Sequence, residues 1–265
     1  MVSPSRRPLA LVTGASSGIG HAVARDLATR GFDLVVVAED TDRLEAAAAE
    51  LRTLGVEVDA VRADLATEDG VEQAWAAVSE RTVSAAVLNA GIGSGGRFSE
   101  TDLAHELRLV DLNVRSTVHL AKHVVRQMAQ RGSGRLLFTS SVAATQPDPF
   151  EAVYGASKTF VQSFAEALRT ELRGTGVTVT SVLPGPTETR FFARAGMGDT
   201  AIGQTAHKDD AAHVARLACD AFLAGREKVV PGGSNKVLTV LASVLPDRAK
   251  AGLHARLAAP GSGSR

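Results

Sequence analysis

Apolar residues along this chain alternate between short unbroken runs and longer stretches where they recur every three or four positions. Runs at 9–12, 34–38, 56–61, 85–88, 135–138 and 177–183 read as strands covered on both faces. The stretches between them carry helical spacing. Ile19, Val23 and Leu27 fall on one face and stop at Gly31; Leu44, Ala48 and Leu51 do the same over 42–54, ahead of Gly55. Val71, Trp75 and Val78 mark a helix over 68–80 that faces the sheet. A long helix follows Ser99 and Asp102, which resemble a capping box, with Leu107, Val110, Val114 and Val118 as its apolar stripe. Thr41 is the expected cap of the 42–54 helix. Strand and helix in strict alternation predict an α/β fold: a parallel sheet with helices on both faces. At 265 residues, one domain accommodates it all.

Charge and composition exclude several classes. The 29 basic residues balance the 29 acidic ones, which removes any electrostatic case for nucleic acid or an anionic membrane surface as partner. One cysteine, Cys219, forbids an internal disulfide and suits a reducing compartment. Residues 1–8 hold two arginines but no apolar core of a secretory leader, so a cytoplasmic protein is expected. The longest apolar run, 237–245, is far too short for a membrane span and reads as a helix face packed on its own domain, with a subunit contact or substrate lid as the alternatives. A basic helix-like segment follows it. Residues 259–265 read as a disordered tail. The histidines are scattered and no metal is expected. His119 and His123 sit four apart, but without an H-E-x-x-H pattern they read as surface helix residues. No G-x-S-x-G elbow surrounds Ser140 or Ser141, against serine hydrolysis.

Candidate chemistry collects just after the strands. The first strand runs into Thr13-Gly14-Ala15-Ser16-Ser17-Gly18-Ile19-Gly20 and then a helix. Gly14 permits a tight turn, Gly18 a close backbone approach and Gly20 tight packing of helix on strand, while the amides of the helix N-terminus suit a pyrophosphate. Glu39, about 20 residues on at the end of the second strand, is placed to accept from a ribose diol, with Asp40 beside it. Asp64, next to Leu65, either meets an adenine edge or caps the next helix. The fourth strand ends in Asn89-Ala90-Gly91. Asn113 interrupts an apolar helix where its amide competes for backbone hydrogen bonds, a broken local rule that points to function, although taken alone it reads as a surface asparagine. Tyr154, the only tyrosine, lies one helical turn before Lys158. An ammonium beside a phenol favours its ionised form, so the phenol pKa is expected to fall from its usual value near 10 and to serve acid–base chemistry.

Taken in order, Thr13-Gly14-x-x-x-Gly18-Ile19-Gly20, Asn89-Ala90-Gly91, Asn113, Ser141, Tyr154-x-x-x-Lys158 and Pro184-Gly185 resemble the short-chain dehydrogenase/reductase family over about residues 8–230. The resemblance implies a single-domain Rossmann fold with a seven-stranded parallel sheet, and an NAD(P)-dependent oxidoreductase acting on a small-molecule alcohol or carbonyl. It implies Tyr154 as general acid/base and Lys158 as the residue that tunes it and holds the nicotinamide ribose. Ser141, by its distance from the tyrosine, would bind the substrate oxygen, with Ser140 a nearby donor, and Asn113 would hold a relay water. Ser16, Ser17 and Ile19 join the glycines around the pyrophosphate; Asp64 and Leu65 join Asn89, Ala90 and Gly91 on the adenosine side. Pro184, Gly185, Thr187 and Thr189 match the nicotinamide side. NADP-using relatives commonly carry a basic residue before the second glycine or just after the second strand; Ser17 and Glu39-Asp40 stand there instead, which points to NAD(H). NADP(H) stays open through Arg43 or Arg62. Segment 186–212, with Phe191, Phe192 and Met197, occupies the substrate loop; with Val142 and Phe150 it suggests an apolar pocket wall for a medium-sized alcohol or ketone. Residues 234–258 extend past the core. A homodimer or homotetramer follows from the resemblance. A nicotinamide-binding sensor that kept the fold is the rival reading.

Overall fold

The computed structural model describes residues 7–206, 208–232 and 246–264. Seven strands, β1 (Leu9–Thr13), β2 (Asp33–Ala38), β3 (Val58–Arg62), β4 (Val83–Leu88), β5 (Gly134–Thr139), β6 (Val177–Val182) and β7 (Lys228–Val229), form one sheet in the order β3-β2-β1-β4-β5-β6-β7. Every pairing is parallel. The order reverses between β1 and β4, opening the crevice at strand C-termini where such sheets bind ligands.

The period of two along β1 explains the layers. Ala10 and Val12 face α1 (Gly18–Thr29), α2 (Thr41–Arg52) and α9 (Ala211–Leu223), meeting Leu27, Leu51 and Phe222. Leu9 and Leu11 face α3 (Glu68–Ala76), α5 (Ser116–Arg131) and α6 (Ala152–Glu171), meeting Val71, Val124 and Val161. Burial on both sides is what makes these strands unbroken apolar runs.

Helix starts differ from expectation in two places. Asp40, not Thr41, caps α2 by accepting from the Arg43 amide at 3.1 Å. Asp102 alone caps α4 (Leu103–Val110), accepting from His105 N at 3.0 Å. In each case the shorter reach to the third amide decides, and the residue expected to cap lies one position inside the helix or a turn upstream of it.

Helix α4 continues through a π-helical turn, Asp111–Arg115, into α5. Its expected apolar stripe is not the buried one: Leu107 and Val110 are exposed, while Leu109 and Asn113 are fully buried. Glu106, Leu109, Asn113, Thr117 and Leu120 are buried at three- and four-residue spacing, so the face turned to the core lies one position off the expected stripe. Three short helical turns follow β5 and β6: a 3₁₀ turn Val142–Thr145, then α7 (Phe191–Arg194) and α8 (Ala201–Gln204). The basic segment forms α10 (Asp247–Ala258). The apolar run 237–245 lies outside the described residues. The expected disordered tail is instead packed where described: Gly263 N–H donates to Asp199 O at 2.9 Å and Ala201 N–H to Ser262 Oγ at 2.9 Å.

Candidate active site

Beyond the C-terminal ends of β1 to β6 lies a continuous cavity of about 1300 Å³. The β1–α1 turn lines it with Gly14, Ser16, Ser17, Gly18 and Ile19; the end of β2 adds Glu39 and Asp40, and the end of β3 adds Asp64 and Leu65. Asn89, Ala90 and Gly91 enter after β4, and Pro184, Gly185, Thr187 and Thr189 after β6. Tyr154 and Lys158 close it from α6.

Gly20 lies below this lining, and a Cβ there would sit 2.3 Å from Gly14 O, so only glycine lets α1 approach β1 this closely. Ser17 at the start of α1 makes no side-chain cap, leaving the first-turn amides for an anion. Asn89 works as a clip as much as a lining residue. Its Nδ2 donates to Thr13 O at 3.1 Å, and Thr13 Oγ1 accepts from the amides of Asn89 and Ala90 at 2.9 and 3.0 Å. A glycine-rich cradle, an uncapped helix start and a cavity of this volume fit a nicotinamide dinucleotide.

At the far rim, Arg108 of α4 reaches two of the expected adenosine-side acids. Its Nη2 donates to both Glu39 oxygens at 3.0 Å, and its Nη1 to Asp64 Oδ2 at 3.0 Å. This fork holds the Asp64 carboxyl below its ordinary range against the opposing cost of burial, which is the largest contribution. Asp64 also accepts from Ala66 N–H at 3.0 Å, and Thr67 takes the capping role on α3. A carboxylate has about four acceptor positions, so Arg108 leaves Glu39 room for a ribose diol. Sequence reading foresaw this helix but missed Arg108, which sits 69 residues from Glu39 between two positions of the expected apolar stripe.

The opposite end gathers the proton-handling groups. Asn113, on the buried face of its helix, spends its side-chain amide on Ile92 O at 2.9 Å and Ser157 Oγ at 3.0 Å, and accepts from Ile92 N–H at 3.0 Å. Ser157 Oγ in turn donates to Tyr154 O at 2.7 Å. Gly91 makes the packing possible: a Cβ on it would lie 3.0 Å from Asn113 Oδ1 and 3.3 Å from Lys158 Nζ. Lys158 Nζ donates to Thr139 O at 3.0 Å, and the Ser141 hydroxyl is hydrogen-bonded to the Tyr154 phenol. Ser140 is not a spare donor: its hydroxyl is committed to Lys158 O at 3.0 Å.

The pKa directions correct one expectation. Burial pushes the Tyr154 phenol up, the Glu151 and Asp148 carboxylates push it further, and the Ser141 hydrogen bond pulls only partly back. Burial also pushes the Lys158 ammonium down to about 8. Lys158 Nζ lies over the Tyr154 ring, 5.8 Å from its centroid, and points its hydrogen bond at Thr139. A spacing of four residues put both side chains on one face, but desolvation outweighs their mutual field. The phenol is therefore held protonated.

A second group by Tyr154 was not legible in the sequence. His254 of α10 is buried between two carboxylates, with Nδ1 3.3 Å from Asp148 Oδ1 and Nε2 3.1 Å from Glu151 Oε2. Gln146 Nε2 lies 3.1 Å from His254 Nδ1. Burial lifts the Asp148 carboxyl to about 7. The His254 imidazole is raised by Glu151 and Asp148 although burial, the largest contribution, opposes this. Helix α10 thereby brings Lys250, Leu253, His254 and Leu257 to the cavity wall, opposite Val142, Phe191 and Phe192. Phe150 and Met197, expected in that wall, pack behind it with Phe192, Ala195 and Ala258.

The short chain dehydrogenase family model matches residues 8–198. The chain is 36% identical over 205 residues to sulfoacetaldehyde reductase 2 of Chromohalobacter salexigens, covering 76% of this chain and 81% of that protein. A short-chain dehydrogenase from Sphingobium yanoikuyae in complex with NADPH superposes with a TM-score of 0.80 at 31% identity, over 90% of this chain and 96% of the other. A short-chain dehydrogenase/reductase from Burkholderia phymatum in complex with NAD gives a TM-score of 0.80 at 25% identity, over 89% and 92%.

Proposed function

Because this chain is a short-chain dehydrogenase, an oxidoreductase that moves hydride between a nicotinamide dinucleotide and an alcohol or carbonyl, we propose that it uses NAD(H) on a medium-sized, largely apolar alcohol or ketone, with Tyr154 as its proton donor and acceptor. The observation that carries the reading is the Tyr154 phenol in the cavity wall, paired with the Ser141 hydroxyl behind it and set beside Lys158 and an apolar wall.

The cofactor, when bound, supplies or accepts the hydride. Residues 14–20 cradle its pyrophosphate, Glu39 accepts from the adenosine ribose, and Thr187 and Thr189 face the nicotinamide end. In reduction, negative charge grows on the substrate oxygen. Ser141 and Tyr154 donate to it, and Tyr154, held protonated by burial, gives up its proton. An acid so placed typically contributes about 10²–10⁴-fold. Lys158 next to the phenolate then formed is the nearest cation, and its lowered pKa makes it a ready proton source. Asn113 holds the loop at Ile92 and Ser157, and its main-chain carbonyl, bonded by Thr117 Oγ1 at 2.8 Å, keeps a second lone pair for a relay water. Oxidation runs these steps in reverse.

The exposed apolar face of α4, Leu103, Leu107 and Val110 with nearby Phe98, supports a homodimer or homotetramer. No helix among the described residues is long and apolar enough to cross a membrane. The test is an NADH-oxidation screen over ketones of graded size, with sulfoacetaldehyde as an anionic comparator, run beside Tyr154→Phe. Activity that grows with apolar bulk, prefers NADH to NADPH and collapses in Tyr154→Phe supports the reading. Undiminished activity in Tyr154→Phe removes the catalytic assignment, and equal rates with both cofactors remove the NAD(H) preference.

A further inference from the structure

Helices α3 and α5 meet on a seam remote from the cleft. From the end of the π turn into α5, Arg115, His119, His123 and Gln127 recur every four residues and form one stripe. At its ends the stripe makes ordinary pairings: Arg115 Nη2 lies 3.1 Å from Glu68 Oε2, and Gln127 Nε2 donates to Ser79 O at 3.1 Å. The middle is different. Both imidazole Nε2 atoms converge on one oxygen of Glu72, His119 at 2.7 Å and His123 at 3.0 Å. The three potential donor atoms all lie within 4.8 Å of one another. Trp75, one turn along α3, stacks on His123 with ring centroids 5.1 Å apart and planes 10° from parallel, which fixes that ring. The two imidazoles are mostly buried and Glu72 is half exposed, so water reaches the group from one side.

We propose that Glu72, His119 and His123 bind a divalent transition-metal ion of the Zn²⁺ class, bridging α3 to α5. Two imidazoles and one carboxylate match such ions and not Mg²⁺ or Ca²⁺, which require oxygen-rich shells. Tetrahedral zinc bonds of about 2.0–2.2 Å set neighbouring ligand atoms about 3.3 Å apart. The 2.7 and 3.0 Å spacings therefore need to open by only a few tenths of an ångström. On binding, each neutral ring carries its single proton on Nδ1, any proton on Nε2 passes to solvent, and both Nε2 lone pairs turn to the metal. Solvent completes the coordination from the open side. The site owes nothing to the hydride-transfer chemistry, so its failure and that of the catalytic reading are independent.

The experiment titrates ZnCl₂ into the untagged, full-length protein by calorimetry near neutral pH, beside His119→Ala, His123→Ala and Glu72→Gln. Even an outer partner of a metal ligand is worth about 10–100-fold in affinity. Loss of a ligand should therefore weaken Zn²⁺ binding by at least that, together with loss of the Zn²⁺-dependent rise in Tm. Excess Mg²⁺ should not compete. The unfolding temperature of each variant without metal shows that it is folded, and substitutions at a partly exposed seam should leave it near the parent's. The site is overturned if the parent takes up no Zn²⁺, or if the variants bind Zn²⁺ as tightly as the parent.

Discussion

Replacing His254 with leucine tests how α10 is held over the cavity. His254 is nearly fully buried, as are its partners Asp148 and Glu151. Apart from His254, Ala258 is the buried residue of α10, while Leu253 and Leu257 remain about half exposed. The helix thus has little apolar area to hold it, and the ionic clamp carries most of its docking. Removing one partner of a buried pair costs about 3–5 kcal/mol. Asp148, already lifted to about 7, escapes by keeping its proton, leaving Glu151 as the uncompensated charge and placing the cost near the lower end. About 3 kcal/mol is a factor of roughly 150, and it falls on α10 rather than on the sheet. Limited proteolysis should cut within residues 246–258 far faster, and KM for a bulky ketone should rise by one to two orders of magnitude while the main unfolding transition stays put. The pH dependence has a definite sign. Both Asp148 and His254 have folded pKa values above their ordinary ones, so the docking they support is complete at low pH. For Asp148 it is lost as pH rises from about 4 through about 7, and His254 adds loss in the same direction. In the unaltered protein, cleavage in α10 should therefore accelerate as pH rises toward about 7 and rise further as His254 loses its proton. Unchanged proteolysis and KM in His254→Leu would refute the clamp.

Other perturbations have equally direct readings. Tyr154→Phe should lower kcat by about 10²–10⁴-fold with little change in cofactor affinity measured by NADH fluorescence. Ser141→Ala should remove an oxyanion donor and about 10²–10³ in kcat, checked by steady-state kinetics. Gly20→Ala drives a Cβ into Gly14 O, which the main chain cannot avoid; overpacking of this kind costs about 1–3 kcal/mol or more, to be read as a lower urea midpoint and weakened cofactor binding. Arg108→Ala leaves the Glu39 and Asp64 charges without their counter-ion, which should disfavour a 2′-phosphate and raise the NADH-to-NADPH ratio of kcat/KM. Because the Arg108–Glu39 pair is exposed, at about 0–1 kcal/mol the change should stay below roughly fivefold.

Much of this protein can be read from its sequence because the determining interactions are local or repetitive. A parallel sheet covered on both faces writes unbroken apolar runs into the chain, and its crossovers write helical periodicity between them. The glycine turn after β1, the strand-end acids and the Tyr154–Lys158 spacing are short-range patterns whose geometry the backbone imposes. What only the tertiary structure decided involves residues far apart in the chain or the solvent they lose. Arg108 meets Glu39 across 69 residues and His254 meets Glu151 across 103, and no periodicity connects them. In the α4–α5 helix the buried face lies one position off the apolar stripe, so Asn113 goes in and Leu107 stays out, an orientation that hydropathy does not encode. Tyr154 and Lys158 share a face as their spacing requires, yet the phenol pKa moves opposite to expectation, because desolvation is a property of the packed site and not of the pair.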